Sequence, residues 1–198
     1  MKPLTNLLFI AIDTCRQDHL SCYGYAKKTS PNIDSRLAAR GIVFQYHFAP
    51  SNCTLPGYTT MFTGLYPISH DVVAHNPQWP LYTGIVTLGQ YLKRQGYFTA
   101  QVSTLITMKS HIEHLKWGFD EWEFDTPELN AKYNQFVKDI TQYQGGHVVP
   151  AARISAQALE ILDRAGKKYT GEGKPFYLFV HFWDPHFIYS PPPEFDIF

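Results

Sequence analysis

The chain has 198 residues, enough for one domain with its own core, and its 44% hydrophobic and 17% charged residues are ordinary for a globular protein. A formal net charge of zero gives no support for a nucleic-acid or anionic-membrane partner, although a local cluster of His, Lys and backbone N–H groups can still bind a small anion. The three cysteines match no zinc-ribbon or paired-disulfide spacing, so we expect reduced thiols.

The first predicted element is the apolar stretch NLLFIAI, from Asn6 to Ile12. A continuous apolar run of this length is typical of a strand buried on both faces of a parallel sheet. It is too short for a secretory core or a membrane span, so we expect a cytoplasmic protein without a membrane partner. Asp13 follows the strand directly.

Strands and helices then alternate along the chain. The pattern predicts helices and further strands at 30–41 (helix), 42–48 (strand), 87–94 (helix), 97–103 (strand), 151–168 (helix) and 174–182 (strand). Residues 126–149 have weaker periodicity and are predicted to form an insertion or lid. This alternation indicates an α/β layered fold around a mainly parallel sheet.

Polar residues follow these strands at points that the fold brings together. Sites in such sheets form beyond the carboxyl ends of the strands. Asp13, the loop at 53–54 and the segment HFWDPH at 181–186 are therefore expected to converge on one crevice.

The segment SNCTLPGYTTMFTG, residues 51–64, carries two candidate nucleophiles. A Pro and a Gly ahead of small and apolar residues predict a tight turn that leads into a helix. Cys53 or Thr54 would lie just before the first turn, and Thr54 could equally serve only as a helix N-cap. The residues alone leave both possibilities open.

The first 75 residues and the segment KPFYLFVHFWDPHFIYSPPPEF together resemble the sulfatase branch of the alkaline phosphatase superfamily. The first part is similar to the subgroup that opens with D-T-x-R-x-D-H-x-x-C-Y-G-Y. The resemblance implies an alkaline-phosphatase-like layered sandwich with a mainly parallel central sheet. It also implies that 1–198 is the N-terminal portion of a single sulfatase-like catalytic domain whose C-terminal remainder is absent.

The resemblance also sets the register of the nucleophile. Sulfatases have C-x-P-S-R followed by a short helix that ends in T-G, and the Cys is oxidised to formylglycine. With Pro56 and Gly64 aligned to that motif, the nucleophile position falls on Thr54, and Cys53 lies one residue too early. Tyr58 stands where the maturation motif has Arg, so we expect no formylglycine at either position.

The resemblance further implies one divalent metal ion, bound by Asp13 and by the Thr54 hydroxyl. A bound metal would activate that hydroxyl, which is a poor nucleophile at neutral pH. Thr14 stands where many sulfatases carry a second metal-binding Asp, so the choice among Ca, Mn, Mg and Zn is open.

Three more residues match positions of family motifs. His186, in the P-H segment, is implied to contact the transferred group or to assist the leaving group. Lys109 and His111 have the K-x-H spacing of the family's G-K-W-H segment and are candidate substrate-binding residues. His181, late in the last strand, is expected to be a core histidine.

The sequence therefore predicts a metal-dependent hydrolase of small-molecule sulfate or phosphate esters with Thr54 as nucleophile. Two alternatives stay open: a phosphodiesterase or phospho-transferase of the same superfamily, and a non-catalytic sulfatase-like protein that binds anions. The family's second metal-binding segment lies downstream of these residues, so we expect this chain alone to be inactive. Its oligomeric state is not predicted.

Overall fold

The protein is described by a computed structural model over residues 5–74, 81–103, 113–123 and 151–186. The chain divides into two compact units. The sheet unit comprises residues 1–13 and 50–198, and the small unit comprises residues 14–49. The predicted excursion at 126–149 lies outside the described residues.

The sheet unit is built on four strands in the order β1-β4-β2-β3, and every neighbouring pair is parallel. This confirms the predicted α/β fold with a mainly parallel sheet. The strands are β1 (Leu7–Ile12), β2 (Phe98–Val102), β3 (Glu121–Glu123) and β4 (Phe176–Phe182). Strand β4 lies in the sheet interior, and its residues Tyr177 to Phe179 are fully buried.

Helices cover the two faces of this sheet. In chain order the helices are α1 (Pro31–Ile33), α2 (Thr54–Thr63), α3 (Pro67–His70), α4 (Leu88–Arg94) and α5 (Ala151–Glu172). Helix α2 packs on one face through Tyr58 and Phe62, whose rings meet Phe179 edge-on. On the opposite face, Lys168 of α5 lies over the ring of Phe98. Strand β4 is therefore enclosed between helices on its two faces.

Strand β1 departs from the prediction that both of its faces are buried. Ala11 is buried, but Leu8 and Ile10 on the other face are 47% and 46% exposed. Leu8 and Ile10 are level with Leu178 and Val180 of β4, which are buried. Because β1 is an edge strand, the helix that covers β4 on this face does not reach it.

The small unit contains little regular structure. It has 3-10 turns at Gln17–His19 and Ser21–Tyr23, and α1 continues as a π turn over Asp34–Ala38. The predicted strand from Ile42 is absent: residues 42–48 form no ladder, and their described contacts include the Tyr23 hydroxyl donating to the Phe44 carbonyl. In the part of the chain that the structure describes, no strand lies beside residues 42–48 for this β-like pattern to pair with.

Helix α4 forms where it was predicted, because its first turn is closed by a capping box. The Thr87 hydroxyl accepts from the Gln90 N–H, and the Gln90 side chain accepts from the Thr87 N–H. In the part of the chain that the structure describes, no helix has the length and apolar character needed to cross a membrane.

Candidate active site

The end of β1 places Asp13 at the carboxyl edge of the sheet. The Asp13 N–H donates to the Phe182 carbonyl at 2.9 Å, which extends the β1–β4 ladder by one residue. The Asp13 side chain is only 11% exposed. Thr14 then adopts a φ of 56°, a left-handed conformation that is costly for a β-branched residue. The chain therefore leaves the sheet abruptly beyond Asp13, and the carboxylate stays at the edge.

The direction of α2 aims its N-terminus at the same edge. Tyr58, one turn into the helix, contacts His181 near the end of β4, with 5.0 Å between the ring centroids. Phe62, one turn further along, contacts Phe119 at 6.0 Å instead. Helix α2 therefore runs away from the carboxyl edge, and Thr54, one turn before Tyr58, lies at the end of the helix nearer that edge.

The first turn of α2 offers groups suited to an anion. Cys53 is the N-cap in an extended conformation, and its side chain makes no capping hydrogen bond. The first intrahelical bond runs from the Gly57 N–H to the Cys53 carbonyl. The N–H groups of Thr54 and Leu55 precede it, and they lie at the positive end of the helix dipole. A half-buried Thr54 hydroxyl thus lies at a helix end that favours negative charge.

His181 is the residue in contact with the Asp13 carboxylate. Its ring is fully buried, and its Nε2 lies 3.4 Å from Asp13 Oδ2. Burial lowers the pKa of His181, against the opposing effect of the Asp13 hydrogen bond, so the ring is neutral at pH 7. The contact is therefore a hydrogen bond from a neutral imidazole to a charged carboxylate, and not an ion pair. Nε2 must carry the ring proton, because a carboxylate only accepts.

Tyr58 is the third member of this group. Burial first, and the charge on Asp13 second, raise the pKa of Tyr58, so its phenol is neutral at physiological pH. The neighbours of the Asp13 carboxylate thus include a neutral imidazole and a neutral phenol.

The segment after β4 places His186 by stacking and by a tight turn. The His186 ring stacks on Trp183 with 3.9 Å between ring centroids, and the His186 N–H donates to the Trp183 carbonyl at 2.8 Å. Asp184, between them, accepts from the Ala151 N–H at 2.9 Å and so joins this turn to the start of α5. The orientation of His186 therefore depends on Trp183 and Asp184.

The donors at this edge fit part of the shell of a hard divalent cation. The Asp13 carboxylate and the Thr54 hydroxyl are oxygen ligands, which suit Mg²⁺, Ca²⁺ and Mn²⁺. Within residues 5–74, 81–103, 113–123 and 151–186, no group of three or more His, Cys, Asp or Glu side chains could hold a metal ion. The described residues thus supply an incomplete ligand set.

The predicted site residues have different outcomes. Asp13 and the start of α2 at Thr54 lie at one edge of the sheet, and His186 follows the strand next to β1. Lys109 and His111 fall outside the described residues. Sequence reasoning missed the contact of His181 with Asp13 and the contacts of Trp183 and Asp184. The only available signal was the spacing of polar and aromatic residues in HFWDPH.

Comparison with known proteins agrees with this architecture. The chain matches the Sulfatase family over residues 5–196. It is 26% identical to human iduronate 2-sulfatase over 96% of this chain and 36% of that enzyme. The crystal structure of a phosphonate monoester hydrolase of Agrobacterium radiobacter has a TM-score of 0.69 and 26% identity, covering 96% of this chain and 43% of that one.

A more distant structure supports the fold alone. A protein of the alkaline phosphatase superfamily from Vibrio parahaemolyticus has a TM-score of 0.64 and 19% identity, covering 96% of this chain and 42% of that one. The chain thus spans less than half the length of each of these proteins. Because the family match extends over nearly all of its residues, the chain belongs to the Sulfatase family.

Proposed function

We propose that this chain is the nucleophile-bearing part of a metal-dependent hydrolase of sulfate esters, with the Thr54 hydroxyl as nucleophile. The observation that carries the proposal is the direction of α2, which begins at Thr54 on the edge of the sheet that holds Asp13. A hydroxyl, a carboxylate and free helix N–H groups at one edge are the parts that ester transfer from an anionic centre requires.

In this scheme the protein's own groups have distinct roles. Thr54 Oγ attacks the sulfur as its hydroxyl proton passes to solvent water, and its bond to sulfur forms as the ester bond to the leaving oxygen breaks. The N–H groups of Thr54 and Leu55 stabilise negative charge on the transferred group. His186 donates a proton to the leaving oxygen. Water then cleaves the ester on Thr54, which restores the hydroxyl and releases sulfate.

Asp13 and Thr54 would hold the divalent cation. When bound, such an ion polarises the ester and lowers the pKa of a coordinated hydroxyl. The neutral state of His181 and Tyr58 favours this role, because neither neutralises the Asp13 carboxylate. The two oxygen donors do not distinguish among Ca, Mn, Mg and Zn.

Hydrolysis of a phosphorus ester is the second candidate. It is favoured by the likeness to a phosphonate monoester hydrolase, which equals in identity the likeness to iduronate 2-sulfatase. The substrate of either reaction is proposed to be a small molecule. The cytoplasmic location and the lack of nucleic-acid and membrane partners stay predictions from the sequence.

The test is hydrolysis of an aryl sulfate and an aryl phosphodiester, side by side, by the polypeptide that carries this chain, with each of the four metals in turn. We expect Thr54→Ala to lose several orders of magnitude in kcat, because it lacks the attacking oxygen. Thr54→Ser keeps a hydroxyl and is expected to stay within about tenfold of the parent in kcat/KM. The faster ester identifies the reaction.

Thr63→Ala provides the matched control. Thr63 lies at the far end of the same helix, where its hydroxyl donates to the Thr59 carbonyl. The Thr63→Ala substitution removes the same side-chain atoms as Thr54→Ala, and we expect this variant to keep parental activity. If Thr54→Ala is as active as Thr63→Ala, the assignment of Thr54 as the nucleophile is refuted. If neither ester is hydrolysed with any of the four metals, an anion-binding protein is favoured instead.

A further inference from the structure

His181 is a polar side chain buried in a mostly apolar environment. It lies near the end of β4, level with Ala11 of β1, and it is fully buried. A buried polar group without a partner costs free energy, so polar residues at such positions usually have a specific partner. One such partner is the Asp13 carboxylate, 3.4 Å from Nε2.

Two aromatic rings fix the orientation of the His181 ring. Tyr58 of α2 meets it edge-on with 5.0 Å between centroids at 85°. Trp183 meets it at 5.9 Å and 65°. Rotation of the imidazole would bring it into one of these rings. The donor at Nε2 is therefore held towards the end of β1 by packing as well as by its own backbone.

The backbone at Asp13 is equally defined. The Asp13 N–H is bonded to the Phe182 carbonyl, so the Cα position is set by the sheet. The orientation of the carboxylate is set separately, by the rotatable bonds of the side chain and by the groups that it contacts. A donor on the adjacent strand restrains Oδ2 and directs the other oxygen elsewhere. Hydrogen bonds of this kind orient the carboxylates that bind metals.

We propose that His181 is a positioning residue that holds the Asp13 carboxylate in the orientation needed to bind a divalent cation. The inference rests on the proposed function, in which Asp13 is a metal ligand. His181 does not touch the substrate in this scheme. His181 sets the orientation of the Asp13 carboxylate, and its hydrogen-bond donor is the group that this role requires.

The experiment separates the donor from the size of the side chain. His181→Gln and His181→Met have similar length and volume, and only glutamine retains an N–H donor. Mn²⁺ binding is titrated by calorimetry on the parent, both variants and Asp13→Ala, all in the polypeptide that carries this chain. Circular dichroism checks that each variant is folded. If His181→Met does not fold, His181→Asn replaces it, because its shorter amide does not reach Asp13.

We expect His181→Met to bind Mn²⁺ about tenfold more weakly than the parent, and His181→Gln to restore most of that loss. A merely structural role would affect both variants alike. Parental affinity in both variants, with binding lost in Asp13→Ala, would overturn the role of His181 and leave the proposed metal site intact. Unchanged affinity in Asp13→Ala would refute the metal site itself, and the inference with it.

Discussion

Three buried histidines lie against helix α2. His70, His114 and His181 all have a pKa lowered chiefly by burial, so each is neutral at pH 7. His114 Nε2 lies 2.8 Å from the Thr59 hydroxyl, and His70 Nε2 lies 3.1 Å from the Thr60 hydroxyl. These bonds hold α2 by its middle turn.

His114 should make the stability of the protein sensitive to acid. Burial lowers the pKa of His114 to about 4, whereas an unfolded histidine titrates near 6.5. Between these values the unfolded chain binds the extra proton, so stability falls as pH falls from 6.5 towards 4. The expected loss from pH 8 to pH 5 is about 2 kcal/mol.

Urea unfolding at pH 8 and pH 5 measures this effect. His114→Gln cannot titrate, so the variant should lose less stability than the parent over the same interval. The difference between the two pH values is the readout, because the substitution itself can lower stability at both. An equal loss in parent and variant would show that His114 does not carry the pH dependence.

Single-residue roles were only partly predictable from the sequence. Thr54 and Asp13 could be named because a family motif fixes their spacing from Pro56 and from β1. The Asp13–His181 contact joins residues that are 168 positions apart. It depends on β4 lying beside β1, and periodicity does not encode strand order. The sequence therefore predicts His181 as a core residue. This prediction describes its burial but does not identify Asp13 as its partner.

Among elements, the start of α5 is linked to the turn that carries His186. Asp184 accepts from the Ala151 N–H, and its charge lies at the favourable end of a 22-residue helix. Its second oxygen is buried with no hydrogen-bond partner among the described residues. This contact stabilises the helix and positions the turn at once.

Replacement of Asp184 by Ala should therefore lower the free energy of unfolding by about 1 kcal/mol, as for the loss of a helix cap. Asp163→Ala is the control, because Asp163 is an exposed residue within the same helix and pairs with Lys167 four positions on. Its loss is expected to cost about 0.5 kcal/mol or less. Equal costs in a urea titration would refute the capping role.

Elements were predictable where local chemistry sets them. Helix α4 has its capping box within four residues, and β4 is apolar up to His181. The strand at 42–48 failed because its pattern required a partner that the described residues do not supply. Strand β3 was missed because three residues, Glu121–Glu123, carry too little periodicity to be recognised.

On the scale of the whole molecule, the two faces of β1 have different environments. Phe9 packs against Phe179 with 5.5 Å between ring centroids, whereas Ile10 is 46% exposed. Leu8 extends the exposed surface along the same face. Apolar side chains on an exposed edge strand favour association between molecules.

We expect Ile10→Lys to reduce self-association, measured by light scattering at increasing concentration. Its effect on the free energy of unfolding should stay within about 0.5 kcal/mol, since the side chain is half exposed. Phe9→Lys is the matched control on the opposite face. It places a charge beside Phe179 and should cost about 3 kcal/mol or more. Equal destabilisation by both variants would mean that both faces are covered.

The central claim is that Thr54, and not an oxidised Cys53, is the nucleophile. The most direct measurement is the mass of the peptide covering residues 51–64, recovered from protein that is quenched in acid during turnover of an aryl ester. With Thr54 as the nucleophile, we expect an unmodified Cys53 thiol and the transferred sulfuryl or phosphoryl group on Thr54. An aldehyde in place of the Cys53 side chain, or the transferred group on another residue, would contradict it.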